Sequence, residues 1–323
     1  MNIHIRWLLI LLTVITVNCS ESQVIDPEIG RLGYPAMTLE NVEEIKENYL
    51  IHEMPWILPK RAHRSLDSNG VPIIHYSWGD HRNPVTTAHT ALAFYQTYLK
   101  SDEAWHIDFF LNNADWLLDN MDSVGYLRYD FAYEHAGTVL DSGWTSGMAQ
   151  GEALSVLSMA YNITNSKKYL DGAEMIFSTF FDRSSPHSFI HVDNGYLYIE
   201  EYPNPDSCHV LNGHIFGAWG LWDYYVVSGS EMSLDLFCAS LQTVADNYRQ
   251  WHISENQTKY CLHNEFKEKY HLVHLRQMES LYALTKNAEF RRIKFELSNV
   301  SLIHRVAGFV LNIGDIVRIL FSG

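Results

Sequence analysis

A chain of 323 residues that is 47% hydrophobic and 13% aromatic can bury a large core, and with only 19% charged residues it does not have the composition of a disordered protein. Its formal net charge of −15 disfavours nucleic acid as a partner, because phosphate binding needs a basic surface. An anionic polymer would require a local basic cleft in this acidic background.

In chain order, Arg6 precedes an apolar run from Trp7 to Val17. The run is shorter than the roughly 20 residues of a membrane span and fits the core of a secretory leader. Residues 1–20 are therefore expected to be a signal peptide or an uncleaved signal anchor, which places the chain in the secretory pathway, outside the cytoplasm. Residues 21–82 read as irregular, with a turn at Asp67-Ser68-Asn69-Gly70 and a strand from Val71 to Tyr76.

Helices dominate from residue 83 onward. Asn83-Pro84 is a helix start, a capping residue followed by a proline in the first turn. Val85, Ala88, Leu92, Tyr95 and Leu99 then fall at helical spacing, and Ile107, Phe110, Leu111, Ala114, Leu117 and Leu118 mark a second helix. A long loop with a hairpin-like stretch, Tyr126 to Phe131, follows. The same unit recurs from Gly147, from about His209 and from about His271, a period of roughly 62 residues. A fixed period of helix pairs means stacked units. The expected fold is mainly α, an (α/α) toroid or incomplete barrel of about four helix pairs over residues 83–298, with small β-hairpins in the loops. The long loops should emerge on one side and bring Tyr129, Tyr202, Tyr260 and Tyr270 to one face. An apolar tail, 299–323, reads as a helix docked on an open edge.

Three cysteines beyond the leader, Cys208, Cys238 and Cys261, cannot all pair, so at least one is free or bonded to another chain. His271 and His274 stand i, i+3 on a helix, but no third ligand follows at metal spacing, and no metal is assigned. No phosphate loop, dinucleotide fingerprint or Ser-His-Asp signature occurs in a suitable context, so no cofactor is expected.

The loop chemistry centres on Glu200-Glu201-Tyr202-Pro203. Tyr196-Leu197-Tyr198-Ile199 alternates like a short strand, and Pro203 and Pro205 stop the ladder for want of an N–H. Glu201 and Tyr202 should stand at that strand end. Together with Gly147-Met148-Ala149-Gln150-Gly151, Val210-Leu211-Asn212-Gly213, Asn83-Pro84-Val85-Thr86 and Tyr270-His271-Leu272-Val273-His274-Leu275-Arg276-Gln277, this motif resembles the C-terminal domain of the D-glucuronyl C5-epimerases, the heparosan and heparan sulfate glucuronate epimerases. The resemblance runs over roughly residues 70 to 290.

The resemblance implies an α/α toroid and an isomerase that removes the C5 proton of a D-glucuronate residue in a heparosan-like polysaccharide and returns one to the other face, giving L-iduronate. It implies Glu201, Tyr202, Tyr260 and Tyr270 as catalytic residues. Gln150, Glu200, Asn212, His263 and His274 are the expected substrate contacts, since the ene-diolate needs donors or cations around its carboxylate. Relatives carry Tyr-Asp-Leu-Arg-His where this chain has Tyr260-Cys261-Leu262-His263-Asn264, so His263 stands in place of an arginine. Inversion needs a base on one face and an acid on the other, and the residue types do not say which group serves which face. The expected partner is a uronate polysaccharide, with no nucleic acid, and a homodimer is compatible with the reading. A uronate lyase would share the first step and expel the C4 substituent. A carbohydrate-binding relative that has lost activity is the non-enzyme alternative.

Overall fold

The computed structural model describes residues 34–47, 63–183, 185–204, 206–263 and 268–298. The expected leader and the apolar tail both lie outside the described residues.

Four antiparallel helix pairs form the body: α2 (Pro84–Ser101) with α3 (Ala104–Asp119), α4 (Gly147–Thr164) with α5 (Lys167–Ser178), α6 (Leu211–Ser228) with α7 (Glu231–Asn247), and α8 (Glu268–Thr285) with α9 (Ala288–Leu297). The first helix of each pair packs on the first helix of the next, in the order α2, α4, α6, α8, and makes an inner layer. The second helices lie outside it. Among the described residues α8 and α2 share no comparable contact, so the ring of helix pairs is an incomplete (α/α) toroid.

The sequence explains which helices are inside. α3 and α5 bury one face each, whereas α4 is buried at every position from Gly147 to Ala160 and α6 from Leu211 to Tyr225. A helix apolar on all sides belongs in the interior. The closest approach is between α4 and α6, where a Cβ on Gly151 would lie 2.4 Å from the Cα of Gly217. Only glycine lets the two backbones come this near. Phe94, Phe110, Phe180, Phe237 and Phe290 are fully buried around the inner helices; each such side chain contributes about 1.5–3 kcal/mol by leaving water.

Helix starts follow the expected chemistry. The Asn83 carboxamide oxygen accepts from the Thr86 N–H at 2.8 Å with Pro84 in the first turn, and the Ser146 hydroxyl accepts from Ala149 N at 3.3 Å.

Two local expectations are corrected. The described residues before Asn83, expected to be irregular, carry regular structure. They hold α1 (Val42–Glu47) and a three-stranded antiparallel sheet of β1 (Arg64–Leu66), β2 (Pro72–Tyr76) and β3 (Gly79–His81). Met37, Leu39 and Ile45 join the main core. The first loop hairpin lies after Tyr126–Phe131, as β4 (Tyr133–His135) and β5 (Thr138–Leu140), because Ala136-Gly137 with positive φ forms the turn. The second hairpin, β6 (Ile190–Asp193) with β7 (Tyr196–Ile199), and the third, β8 (His252–Ser254) with β9 (Gln257–Thr258), occupy the corresponding later loops.

Candidate active site

The β6–β7 hairpin delivers the Glu-Glu-Tyr-Pro stretch. Beyond β7, Glu200 N–H still donates to Phe189 O at 2.7 Å, and Glu200 O accepts from Gly147 N at 2.8 Å. The strand end is thus tied to the first turn of α4. After it, Glu201 and Tyr202 turn into a cleft of about 400 Å³, a size suited to a small ligand or one segment of a polymer. Tyr129, Tyr133, Trp144, Ser146 and Tyr270 share its walls, and Asn83 and Val85 stand at the start of α2 beneath them.

Four residues meet here from two loops and the first turn of α8. The Tyr260 hydroxyl donates to Glu201 Oε1 at 3.0 Å and lies 3.3 Å from the Tyr202 hydroxyl. The Tyr260 and Tyr270 rings are 4.3 Å apart. Tyr260 itself is buried, while Glu201, Tyr202 and Tyr270 face the cleft. Tyr202 is gripped between aromatic neighbours, with its ring stacked 4.0 Å from His135 and 5.5 Å from Tyr133.

Burial pushes the Glu201 carboxyl up to about 7. Hydrogen bonds from Tyr202 and Tyr260 pull the other way, the Glu152 charge adds to the rise, and His89 opposes it. Glu152 and His89 are themselves paired, Oε2 to Nδ1 at 3.0 Å, between α4 and α2. Burial also raises Tyr202 and Tyr260 well above the ordinary phenol range, with the Glu201 charge next in importance. Within this trio only Glu201 therefore changes protonation near neutral pH, and the phenols stay protonated donors.

Gly213, in the first turn of α6, explains how the carboxylate fits. A Cβ there would sit 2.5 Å from Glu201 Oε2 and 2.7 Å from Glu201 Cβ. The missing side chain is the seat of the glutamate. The helix N-terminus beside it favours negative charge, in opposition to burial.

The remaining expected contacts fall elsewhere. Gln150 is fully buried and its carboxamide is engaged by backbone and hydroxyl: Oε1 accepts from Leu127 N at 2.8 Å, and Nε2 donates to Gly125 O at 2.9 Å and Thr179 Oγ1 at 3.0 Å. It braces the loop before β4. Glu200 points inward, where its carboxylate accepts from His209 N at 3.1 Å and meets the His209 ring. That clamp holds His209 at φ 47°, a left-handed backbone that a histidine seldom adopts, with its ring stacked 3.7 Å from Tyr198. His274 is buried, hydrogen-bonded through Nδ1 to Thr258 Oγ1 at 2.7 Å, and pushed down to about 3 by burial, so it carries no charge for an ene-diolate. Asn212 is buried at the start of α6 with its Oδ1 lacking a partner. His263 is exposed in the turn after Cys261 and is not among the described residues that line the cleft.

Basic side chains outside every motif named above reach the cleft. His63 and Arg64, at the start of β1, and Lys269, one residue before Tyr270, line it. Lys269 Nζ lies 4.6 Å from the centre of the Tyr270 ring. Arg64 and Lys269 thus give the cleft local positive charge inside a chain of net charge −15.

Cys208 and Cys261 form a disulfide, and Cys238 is free and buried. The bond ties the Tyr260 segment to the loop after Tyr202, alongside Leu262 N to Cys208 O at 2.8 Å and Leu211 N to Tyr260 O at 3.2 Å. His135 Nε2 is 3.4 Å from Cys208 Sγ. His135, Cys208 and Cys261 together have the atoms of a three-ligand metal set, but the disulfide engages both sulfurs. The bond closes a sequence separation of 53 residues, for which chain entropy gives about 4 kcal/mol of stability. Cys208→Ser/Cys261→Ser is expected to lower the free energy of unfolding by up to that amount, read in urea titrations against the oxidised parent.

The fold and this site define a class: an incomplete α/α toroid with a carboxylate and phenols in a polar cleft at the loop ends of its helix pairs. Residues 121–298 match the family described as D-glucuronyl C5-epimerase C-terminus, more than half of the chain, and the protein belongs to that family. It is 33% identical to D-glucuronyl C5-epimerase of Caenorhabditis elegans over 132 residues, 40% of this chain and 21% of that protein. The chain thus matches about a fifth of that relative's length. An uncharacterized protein of Methanocaldococcus jannaschii is 21% identical over 184 residues, 55% of this chain and 60% of that one. Among solved structures, cellobiose 2-epimerase from Bacillus thermoamylovorans superposes with a TM-score of 0.51 at 12% identity, covering 79% of this chain and 70% of that one. A family 76 α-mannanase from Bacteroides thetaiotaomicron superposes at 0.50 and 14% identity, covering 73% and 63%. At such identities these two likenesses speak for the fold alone.

Proposed function

We propose that the protein is a polysaccharide D-glucuronyl C5-epimerase acting on a heparosan-like polymer. The observation that carries this reading is Glu201: a carboxylate raised to about 7, hydrogen-bonded by the Tyr260 phenol, at the wall of a cleft that Tyr202, Tyr270, Arg64 and Lys269 also line.

The C5 proton of a uronate is acidified by the adjacent carboxylate, and its loss puts further charge there as an ene-diolate. Arg64 and Lys269 are the permanent cations in the cleft wall whose field favours that charge. Glu201, ionised above about neutral pH, takes the proton. Burial keeps the Tyr202 phenol protonated, and the ene-diolate carbon is basic enough to take a proton even from such a weak acid, so Tyr202 serves as donor to the opposite face, with Tyr270, which also lines the cleft, as a second hydroxyl there. The Tyr260 hydroxyl bridges Glu201 and Tyr202, and gives the proton collected by Glu201 a route back to the phenolate left at Tyr202. Tyr260→Phe breaks this route, and a turnover loss of at least about tenfold with little change in substrate affinity is expected from steady-state kinetics.

We place the protein in the secretory pathway, on the strength of the apolar run Trp7 to Val17 and of a disulfide, which persists in oxidising compartments. The function is tested by incubating the purified protein with heparosan and analysing the product by NMR. Iduronate signals in chains of unchanged length support the reading. Unsaturated non-reducing ends would make it a lyase instead, and unaltered polymer that nonetheless binds would make it a carbohydrate-binding relative.

A further inference from the structure

A second feature stands at the mouth of the cleft. In the β2–β3 hairpin Tyr76 pairs with Gly79, so Ser77 and Trp78 form a two-residue turn at its tip. Such turns ordinarily carry Gly, Asn or Asp. Here the tip carries a tryptophan that is 58% exposed. Its ring lies flat on Tyr76, with centroids 4.7 Å apart and planes 13° from parallel. One indole face is therefore covered, and the exposure belongs to the other face and the edges.

The support under Trp78 is rigid. The Tyr76 hydroxyl accepts from Asn83 Nδ2 at 2.9 Å, and Asn83 is the cap of α2. The Tyr76 ring packs against Phe131 at 5.2 Å, and Phe131 against His81 at 4.9 Å. His81 is in turn held by Asp130 at 3.0 Å. Tyr76 and Phe131 also line the cleft, so the platform continues the cleft wall outward. A large ring held in water by a stacked, hydrogen-bonded base gives the fold little burial in return. Exposed apolar surface joined to a binding groove marks ligand contact.

We propose that Trp78 on Tyr76 is a stacking subsite for a pyranose ring of the polysaccharide, outside the position of the reacting sugar. The proposal rests on the function proposed above. A cleft of about 400 Å³ holds only part of a polymer, and a chain that enters and leaves it must cross the rim. A pyranose presents C–H hydrogens on its ring faces and carries its carboxylate at the edge. The indole face is the negative lobe of the ring quadrupole, so it attracts the C–H face and turns the carboxylate outward. A nucleobase would also stack, but the net charge of −15 opposes its phosphates. The subsite thus reads a sugar ring without charge pairing.

The test is binding, measured by calorimetry with heparosan polymer and with a heparosan trisaccharide, for the parent, Trp78→Ala and Trp78→Phe. Thermal unfolding and light scattering accompany each protein. Removing the ring should weaken polymer binding at least roughly fivefold, the low end of losses on deleting an aromatic stacking partner. The trisaccharide should lose less, and Trp78→Phe should recover most of the polymer affinity. Polymer binding unchanged in Trp78→Ala overturns the subsite and leaves the function reading intact. A parent dimer that becomes monomeric in Trp78→Ala, with polymer affinity kept, makes the ring a contact between copies and also overturns it. If the parent binds no heparosan of either length while folded, the function reading fails, and the subsite fails with it.

Discussion

Glu201→Gln is expected to reduce C5 proton exchange by at least about a hundredfold while leaving the helical fold and substrate affinity nearly intact. The amide is the same size, fits the seat beside Gly213, and still accepts the Tyr260 hydrogen bond, but it cannot take a proton. The same residue sets the pH profile. As a base Glu201 must be ionised, so the parent's rate should rise with pH and level off above about 7, where its carboxyl titrates. The effect on stability has the opposite sense. The carboxyl is raised from 4.5 to about 7 in the folded state, so the native protein holds this proton more tightly than the unfolded chain does. The stability that Glu201 provides is fully present below about 4.5, declines as pH rises toward about 7, and is flat above that. An activity that climbs while stability falls across one pH window is a signature of a buried general base. A rate independent of pH between 5.5 and 8 would remove Glu201 from that role.

Gly213→Ala should be nearly as damaging, for a steric reason. The added methyl would lie 2.5 Å from Glu201 Oε2 and 2.7 Å from Glu201 Cβ, closer than real Cβ atoms come to their neighbours. The helix backbone is held by the α4–α6 packing, so the glutamate must move. A displacement of about 1 Å at a proton-transfer group costs on the order of a hundredfold in rate. Circular dichroism should show an unchanged helical spectrum, since alanine is a better helix former than glycine. The outcome against this argument is full turnover in Gly213→Ala, which would mean that the carboxylate position seen here is not the working one.

The helix pairs were legible because their signals are local: apolar spacing, the Asn83-Pro84 start, and a recurrence of whole units. The convergence of Glu201, Tyr202, Tyr260 and Tyr270 followed from that recurrence, because equivalent loops of stacked units emerge on one side. Gln150, Glu200 and His274 misled for a common reason. Each sits in a motif beside the site, but burial and hydrogen bonding commit it to the scaffold: Gln150 to the Gly125–Leu127 backbone, Glu200 to His209, His274 to Thr258. Sequence says which residues are near the chemistry, not which way they point. Arg64 and Lys269 show the converse. They carry no motif of their own, and they share the cleft because β1 and the first turn of α8 both reach its wall. The pairing of Cys208 with Cys261 rather than with Cys238 was likewise undetermined until the loops were seen to run side by side.

The most direct test of the central claim is solvent deuterium incorporation at C5 of heparosan, followed by mass spectrometry and NMR for the parent protein and Glu201→Gln. Deuterium is expected at C5 of both glucuronate and iduronate residues in intact chains for the parent, with at least about a hundredfold slower incorporation for the variant. Incorporation at the parent rate in Glu201→Gln, with the variant folded, would contradict the assignment of this carboxylate as the C5 base.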